Sequence, residues 1–191
     1  MPTLAEENDA LKIKVTRLEQ ALGRATFELS KLSKRLEGAA LLACADVVAC
    51  LSVSNASEAI EFYTQVFGAQ EGFRVYDKDG KIAHAALQIG DSQVFINSEY
   101  PEVGKVSPSQ LGGSTVGLTV FVDDAQASFQ NALSAGCTQV TPVKQAFWGD
   151  LTGIVKDPFG HQWVLSTNKE RLTVTQILNR AQTQFNIAQP M

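Results

Sequence analysis

Cysteine is scarce in this chain. Cys44, Cys50 and Cys137 are odd in number and form no C-x-x-C pair, which leaves no basis for a disulfide framework or a thiolate zinc site. They read as small buried hydrophobes in a reducing compartment. Histidine is scarcer still, with His84 and His161 as the only imidazoles. No apolar run approaches the ~20 residues of a membrane-spanning helix, and the N-terminus is a charged helix pattern in place of a signal peptide's apolar core. Positive charge is not in excess either, with 16 Lys and Arg against 20 Asp and Glu and a net charge of −4. That balance gives no footprint for nucleic acid or an anionic membrane. The reading is of a cytoplasmic protein with neither as partner, although an organelle or cytoskeletal address stays open. A length of 191 residues accommodates one well-buried domain and an appendage.

The appendage is residues 1–40. Thr3 and Glu6 form a capping box that starts a helix. Beyond it, Leu4, Leu11, Leu18, Ala25, Leu32 and Ala39 occupy d positions, and Asn8, Val15, Leu22, Leu29 and Leu36 occupy a positions, through five heptads. A lone amphipathic helix on its own domain would also show a stripe. Asn8 at an a position, and the opposite charges of Glu7 with Lys12 and of Lys14 with Glu19 at g and e, favour a parallel coiled coil instead. The expected partner is a second copy joined through residues 4–39, or another coiled-coil protein. Gly38 ends the pattern, and residues 38–46 are an apolar, alanine-rich connection.

Residues 46–167 repeat themselves at an offset of about 69, with Leu51 to Ala56 lying over Val120 to Ala125. Asn55 and Asp124 are apt N-caps for the helices that follow, and Gly68 and Gly136 are apt C′ residues. After each helix the pattern turns to period two, over 72–77, 81–89 and 92–97, then over 138–143, 151–156 and 161–167. The fold class is α+β, with two βαβββ modules at 46–98 and 114–167 that bury against each other. In residues 168–191, Val174, Ile177, Leu178, Ala181 and Phe185 share one face of a short C-terminal amphipathic helix followed by a tail.

Three stretches carry a family resemblance. They are Ala56 to Tyr63 with Phe67-Gly68-Ala69, His84 to Ser92, and Phe147-Trp148-Gly149-Asp150 with Asp157-Pro158-Phe159-Gly160-His161-Gln162-Trp163. Together they resemble the vicinal oxygen chelate superfamily of glyoxalase I, extradiol dioxygenases and bleomycin resistance proteins, and within it the PhnB-like group. The resemblance covers residues 46–185, implies that the paired modules form a glyoxalase-like cup, and is weak for any one reaction because the scaffold hosts many.

In metal-dependent relatives, His and Glu side chains from the first and last strand of each module hold a divalent ion that acts as a Lewis acid. The corresponding positions here are Val48, Phe95 or Asn97, Gly117 and Val164, and apart from weak Asn97 none can ligate. No metal and no other cofactor is therefore expected. His84 alternates with Ala86 and Gln88 toward the cup and is the one candidate catalytic residue, with Asp150 and Glu71 as conceivable orienting partners. His161, after the turn, reads as a strand-end residue. The cup lining expected is Cys50, Ser52, Phe95, Asn97, Thr119, Phe121, Trp148, Gln162 and Val164, suited to a small apolar ligand, although aromatics at inward positions more often pack as core. The expectation is a protein without the usual metal ligands that acts as an oligomeric scaffold or small-ligand binder. The alternative is a glyoxalase- or dioxygenase-type enzyme with unconventional or no metal ligands.

Overall fold

The computed structural model describes residues 47–185 together with Lys12, Lys14, Val15 and Leu22. Those four are helical and exposed, while the remainder of the expected coiled coil and the tail from 186 lie outside the described residues. No helix among the described residues is long and apolar enough to cross a membrane.

The first module begins with β1 (Ala49–Val53) and breaks at Asn55, whose Oδ1 accepts from the backbone N–H of Ser57 at 3.2 Å and Glu58 at 3.3 Å. That cap starts α1 (Ala56–Phe67), which stops at Gly68 with φ 65°, a conformation most side chains resist. Then follow β2 (Gln70–Tyr76), β3 (Ile82–Ile89) and β4 (Ser92–Ser98). A 3₁₀ turn (Pro101–Val103) and the one-turn α2 (Pro108–Leu111) lead to the second module. There β5 (Gly117–Phe121) precedes α3 (Ala125–Ser134), capped by Asp124 through Gln126 N at 2.9 Å and Ala127 N at 3.0 Å. The glycine expected at C′ is there, with Gly136 N–H donating to Leu133 O at 3.1 Å and Cys137 N–H to Ala132 O at 3.0 Å. Ala135 ends α3 at φ −85°, and Gly136 then turns the chain at φ 105°. β6 (Thr138–Gln145), β7 (Asp150–Lys156), β8 (Gln162–Asn168) and α4 (Val174–Phe185) complete the chain.

The modules share one topology. Each forms a four-stranded sheet, ordered β1-β4-β3-β2 and β5-β8-β7-β6, with its first strand parallel to its last. The repeat is exact in register across that pair, since Ala49 faces Val94 and Leu118 faces Trp163, both 69 positions on. Alternation then assigns the faces. Leu51, Val53, Leu87 and Ile96 of one sheet and Val155, Trp163 and Leu165 of the other pack on Ile60, Tyr63, Phe129 and Ala132 of α1 and α3 in a single apolar core. Side chains of this size contribute about 1.5–3 kcal/mol each when fully buried. The opposite face of each sheet is left open by the chain. The outer strands β2 and β6 are paired on one side only, and both carry register shifts, between Glu71 and Phe73 and between Gln139 and Thr141 among others.

One turn joins the modules. In Asp157 to His161, Asp157 N–H donates to His161 O at 2.9 Å and Gly160 N–H to Asp157 O at 3.1 Å. Asp157 Oδ1 accepts from the backbone N–H of Phe159 and of His161, each at 2.9 Å. Its Oδ2 accepts from Tyr63 Oη of α1 at 2.7 Å and from Trp163 Nε1 at 2.8 Å. A buried carboxylate is thus met by four donors, two of them aromatic. Phe62, Phe67 and Phe159 surround Tyr63 and Trp163 with ring centroids 4.4 to 6.1 Å apart.

Helix α4 is tied down near the other end of the second sheet. Gln145 and Arg180 both donate to Glu170, and Phe185 meets Phe147 edge to face at 5.5 Å. Glu170 N–H donates to Gly149 O at 3.2 Å. Gly149 has φ 102°, and a Cβ there would stand 2.7 Å from Glu170 O, so the contact depends on glycine.

Candidate functional site

On the open face of the first sheet, register places Cys50 beside Phe95 and Ser52 beside Asn97. Asn97 is fully buried and links the group. Its Nδ2 donates to Ser52 Oγ at 2.9 Å and to Ser98 O at 3.0 Å, and its Oδ1 accepts from Cys50 Sγ at 2.8 Å. Although the residue is exposed, partial desolvation of its sulfur among these neighbours pushes the Cys50 thiol pKa up, with Lys105 acting the other way. Cys50 is accordingly a protonated donor at neutral pH and a poor nucleophile. His84 lies between two phenyl rings, 5.6 Å from Phe73 and 4.7 Å from Phe95. Neither carboxylate considered for orienting it is at hand. Glu71 is engaged by Arg74, and Asp150, buried, accepts from Ser166 Oγ at 2.8 Å and Asn168 Nδ2 at 2.9 Å.

The open face of the second sheet carries Thr119, Phe121, Gln162 and Val164, with Thr119 beside Val164 and Gly117 beside Gln162. Its aromatics do not fill a core. Phe121 is 73% exposed and Trp148, packed on Phe147 at 4.8 Å, is 40% exposed. The expected lining therefore falls into two separate walls, Cys50, Ser52, Phe95 and Asn97 on one sheet and Thr119, Phe121, Gln162 and Val164 on the other, with Trp148 in the β6–β7 turn.

His161 is a buried residue, and its Nε2 lies 3.1 Å from Ser52 O across the module boundary. A carbonyl only accepts, so Nε2 carries the proton. Burial lowers the imidazole pKa, opposed by the Asp157 charge and by the bond to Ser52. Among the described residues, Phe73 beside His84 and the Tyr63–Asp157–Trp163 group were not anticipated, and the seam of Tyr63 with Asp157 joins residues 94 positions apart. No local pattern encodes such a pair.

The metal positions implied by the family resemblance were Val48, Phe95 or Asn97, Gly117 and Val164. Three of these types carry no side-chain donor, and the Asn97 amide is already committed to Cys50, Ser52 and Ser98. Among the described residues no group of three or more His, Cys, Asp and Glu could hold an ion. The donor set does not fit the metal of the metal-dependent relatives.

Comparison with known proteins agrees with the architecture. A model of the Glyoxalase/Bleomycin resistance protein/Dioxygenase superfamily matches residues 45–165. An uncharacterized protein of Mycobacterium bovis, Mb0911c, is 42% identical over 130 residues, which are 66% of this chain and 86% of that one. The crystal structure of TioX from Micromonospora sp. ML1 is similar at 26% identity and a TM-score of 0.50, covering 64% of this chain and 97% of its own. The PhnB protein from Bacillus cereus shares the fold at 16% identity and a TM-score of 0.51, covering 64% and 99%. With its paired βαβββ sheets and this match across the whole paired domain, the chain belongs to the glyoxalase/bleomycin resistance protein/dioxygenase superfamily.

Proposed function

We propose that the chain is a non-catalytic member of its superfamily that binds a small, largely apolar ligand on its open sheet faces and works as an oligomer. One observation carries the reading. Where metal-dependent relatives present ligands, this chain presents Val48, Phe95, Gly117 and Val164, and the wall around them is an uncharged set of aromatic, hydroxyl and amide groups. Such a surface recognises a ligand by shape and a few hydrogen bonds and has no means of activating water or a carbonyl. His84, the remaining candidate for proton transfer, is flanked by phenyl rings. Association through residues 4–39 would make the protein an oligomer, and Val15, an exposed helical residue at an a position, is of the kind a partner helix covers.

Metal analysis of the purified full-length protein tests the reading, with His84→Ala as control. The expected result is no stoichiometric divalent ion in either protein. An ion present in the parent and lost in the variant overturns it. Sedimentation of a variant lacking residues 1–40 is expected to show loss of association, and an unchanged oligomer removes the role assigned to that segment.

A further inference from the structure

The internal repeat fails at one place. At the offset of 69, Leu51 and Val53 of β1 correspond to Val120 of β5 and to Val122 just beyond it, on the helix-facing side. Leu51 and Val53 are 5% and 0% exposed. Val120 and Val122 are only half-buried, as are Leu118 of β5 and Val66 and Phe67 of α1. Side chains that alternation aims at the interior here border a cavity of about 630 Å³, within the range of small-molecule sites. Trp163 forms part of its wall and packs on Phe67 at 4.4 Å between ring centroids. Across the cavity stands the β3–β4 turn with Asp91, whose carboxylate is the one ionised group among the lining residues. Cys50, Ser52 and Asn97 take no part in this cavity, so it is distinct from the polar wall of the first sheet.

We propose that this inter-module cavity binds a lipophilic amine, with the hydrocarbon body against Phe67, Leu118, Val120 and Trp163 and the ammonium at Asp91. The apolar wall supplies most of the affinity, because uncovered apolar surface gains about 25 cal/mol per Å² when removed from water. The ion pair at an exposed rim adds little, about 0.2–1 kcal/mol, which converts to a preference of roughly 1.4- to 5-fold for an amine over a neutral analogue. A fatty acid would set a second negative charge against Asp91 and binds most weakly.

The test uses the full-length Trp148→Phe protein, in which Trp163 is the only remaining tryptophan. Titration with dodecylamine, dodecanol and dodecanoate, each below its micelle concentration, is expected to change Trp163 emission saturably in that order of affinity. Val120→Phe, which fills the cavity, should weaken dodecylamine at least tenfold. Asp91→Asn, at an exposed turn position, should abolish the amine preference while leaving dodecanol binding intact. The proposal is overturned by the absence of a saturable response, by equal binding of amine and acid, or by a response that survives Val120→Phe in a protein with an unchanged melting temperature. It also falls if Val120→Phe changes self-association while amine binding stays as it was, since the cavity would then be an interface between copies.

Discussion

Two turns of this molecule follow the same plan, Asp77 to Lys81 between β2 and β3 and Asp157 to His161 between β7 and β8. In each, the aspartate N–H donates to the carbonyl four residues on, and the glycine at the fourth position, with positive φ, donates back to the aspartate O. In each, Oδ1 accepts two backbone N–H groups and Oδ2 accepts a tyrosine hydroxyl at 2.7 Å, from Tyr100 in the first and Tyr63 in the second. Their surroundings differ. Asp157 is 3% exposed and adds Trp163 as a donor, while Asp77 is only half-buried beneath Tyr100, whose ring faces Lys81 and Lys105. A local sequence of the form Asp-x-x-Gly therefore specifies the turn, and only the aromatic residues brought to it decide whether it holds two modules together.

That contrast can be broken most directly at the aspartates. Asp157→Ala leaves Tyr63 Oη, Trp163 Nε1 and two backbone N–H groups without their acceptor, and should lower unfolding stability by about 3–5 kcal/mol in urea denaturation. Asp77→Ala, with solvent ready to replace it, should barely move the midpoint. Comparable losses in the two variants would show that burial is irrelevant to the role of the turn. The glycines come next. Gly80 and Gly160 have φ 81° and 94°, but an added Cβ finds open space at Gly80 and meets Ser109 N at 2.7 Å at Gly160. Backbone strain alone, about 1–2 kcal/mol, is expected for Gly80→Ala. Gly160→Ala should cost roughly 2–4 kcal/mol because steric displacement adds to it. A thermal melt of the pair checks this, and equal shifts would mean that the chain yields around Ser109. Tyr63→Phe should then cost about 1–2 kcal/mol, against little change for Tyr100→Phe, measured in the same denaturation series.

The smallest expected difference lies in pH. His161 has its imidazole pKa lowered by burial, so the unfolded chain binds the proton more readily. Its contribution is complete above the ordinary histidine value of 6.5 and is lost as pH falls through the lower folded value. The Asp77 carboxyl is held below its usual 3.8, chiefly by the Tyr100 hydroxyl. Its contribution is lost only in more acidic solution, as pH falls below 3.8. Urea midpoints between pH 7.5 and 5 should thus fall in the parent and flatten in His161→Gln. A slope unchanged by that substitution would place the sensitivity elsewhere.

Much of the fold was legible in the sequence because its signals are local. Asn55 and Asp124 cap helices through their own neighbours, and alternation alone put Cys50 with Phe95 and Ser52 with Asn97 on one face, as the register has them. Beyond that reach, legibility ended. The irregular register of β2 and the pairing of Glu71 with Arg74 leave His84 among phenyl rings, and Asp150 is consumed by Ser166 and Asn168 on the neighbouring strand. Nothing in the linear spacing tells which acceptor is already taken. The same holds for Val120, whose pattern is that of a core residue and whose exposure follows from what fails to cover β5.

The register shifts of β2 and β6 have a further consequence. A straight outer strand offers a row of unpaired N–H and C=O groups to any extended chain, the geometry from which fibrils grow. Here two of the four sheet edges, β2 and β6, are bent out of step, and β6 also contains Pro142, which has no N–H to give. Stacking of copies through β2 or β6 is thereby discouraged. An extended chain that adds to a sheet is left with the regular edges, β1 and β5, whose single pairings run without a shift.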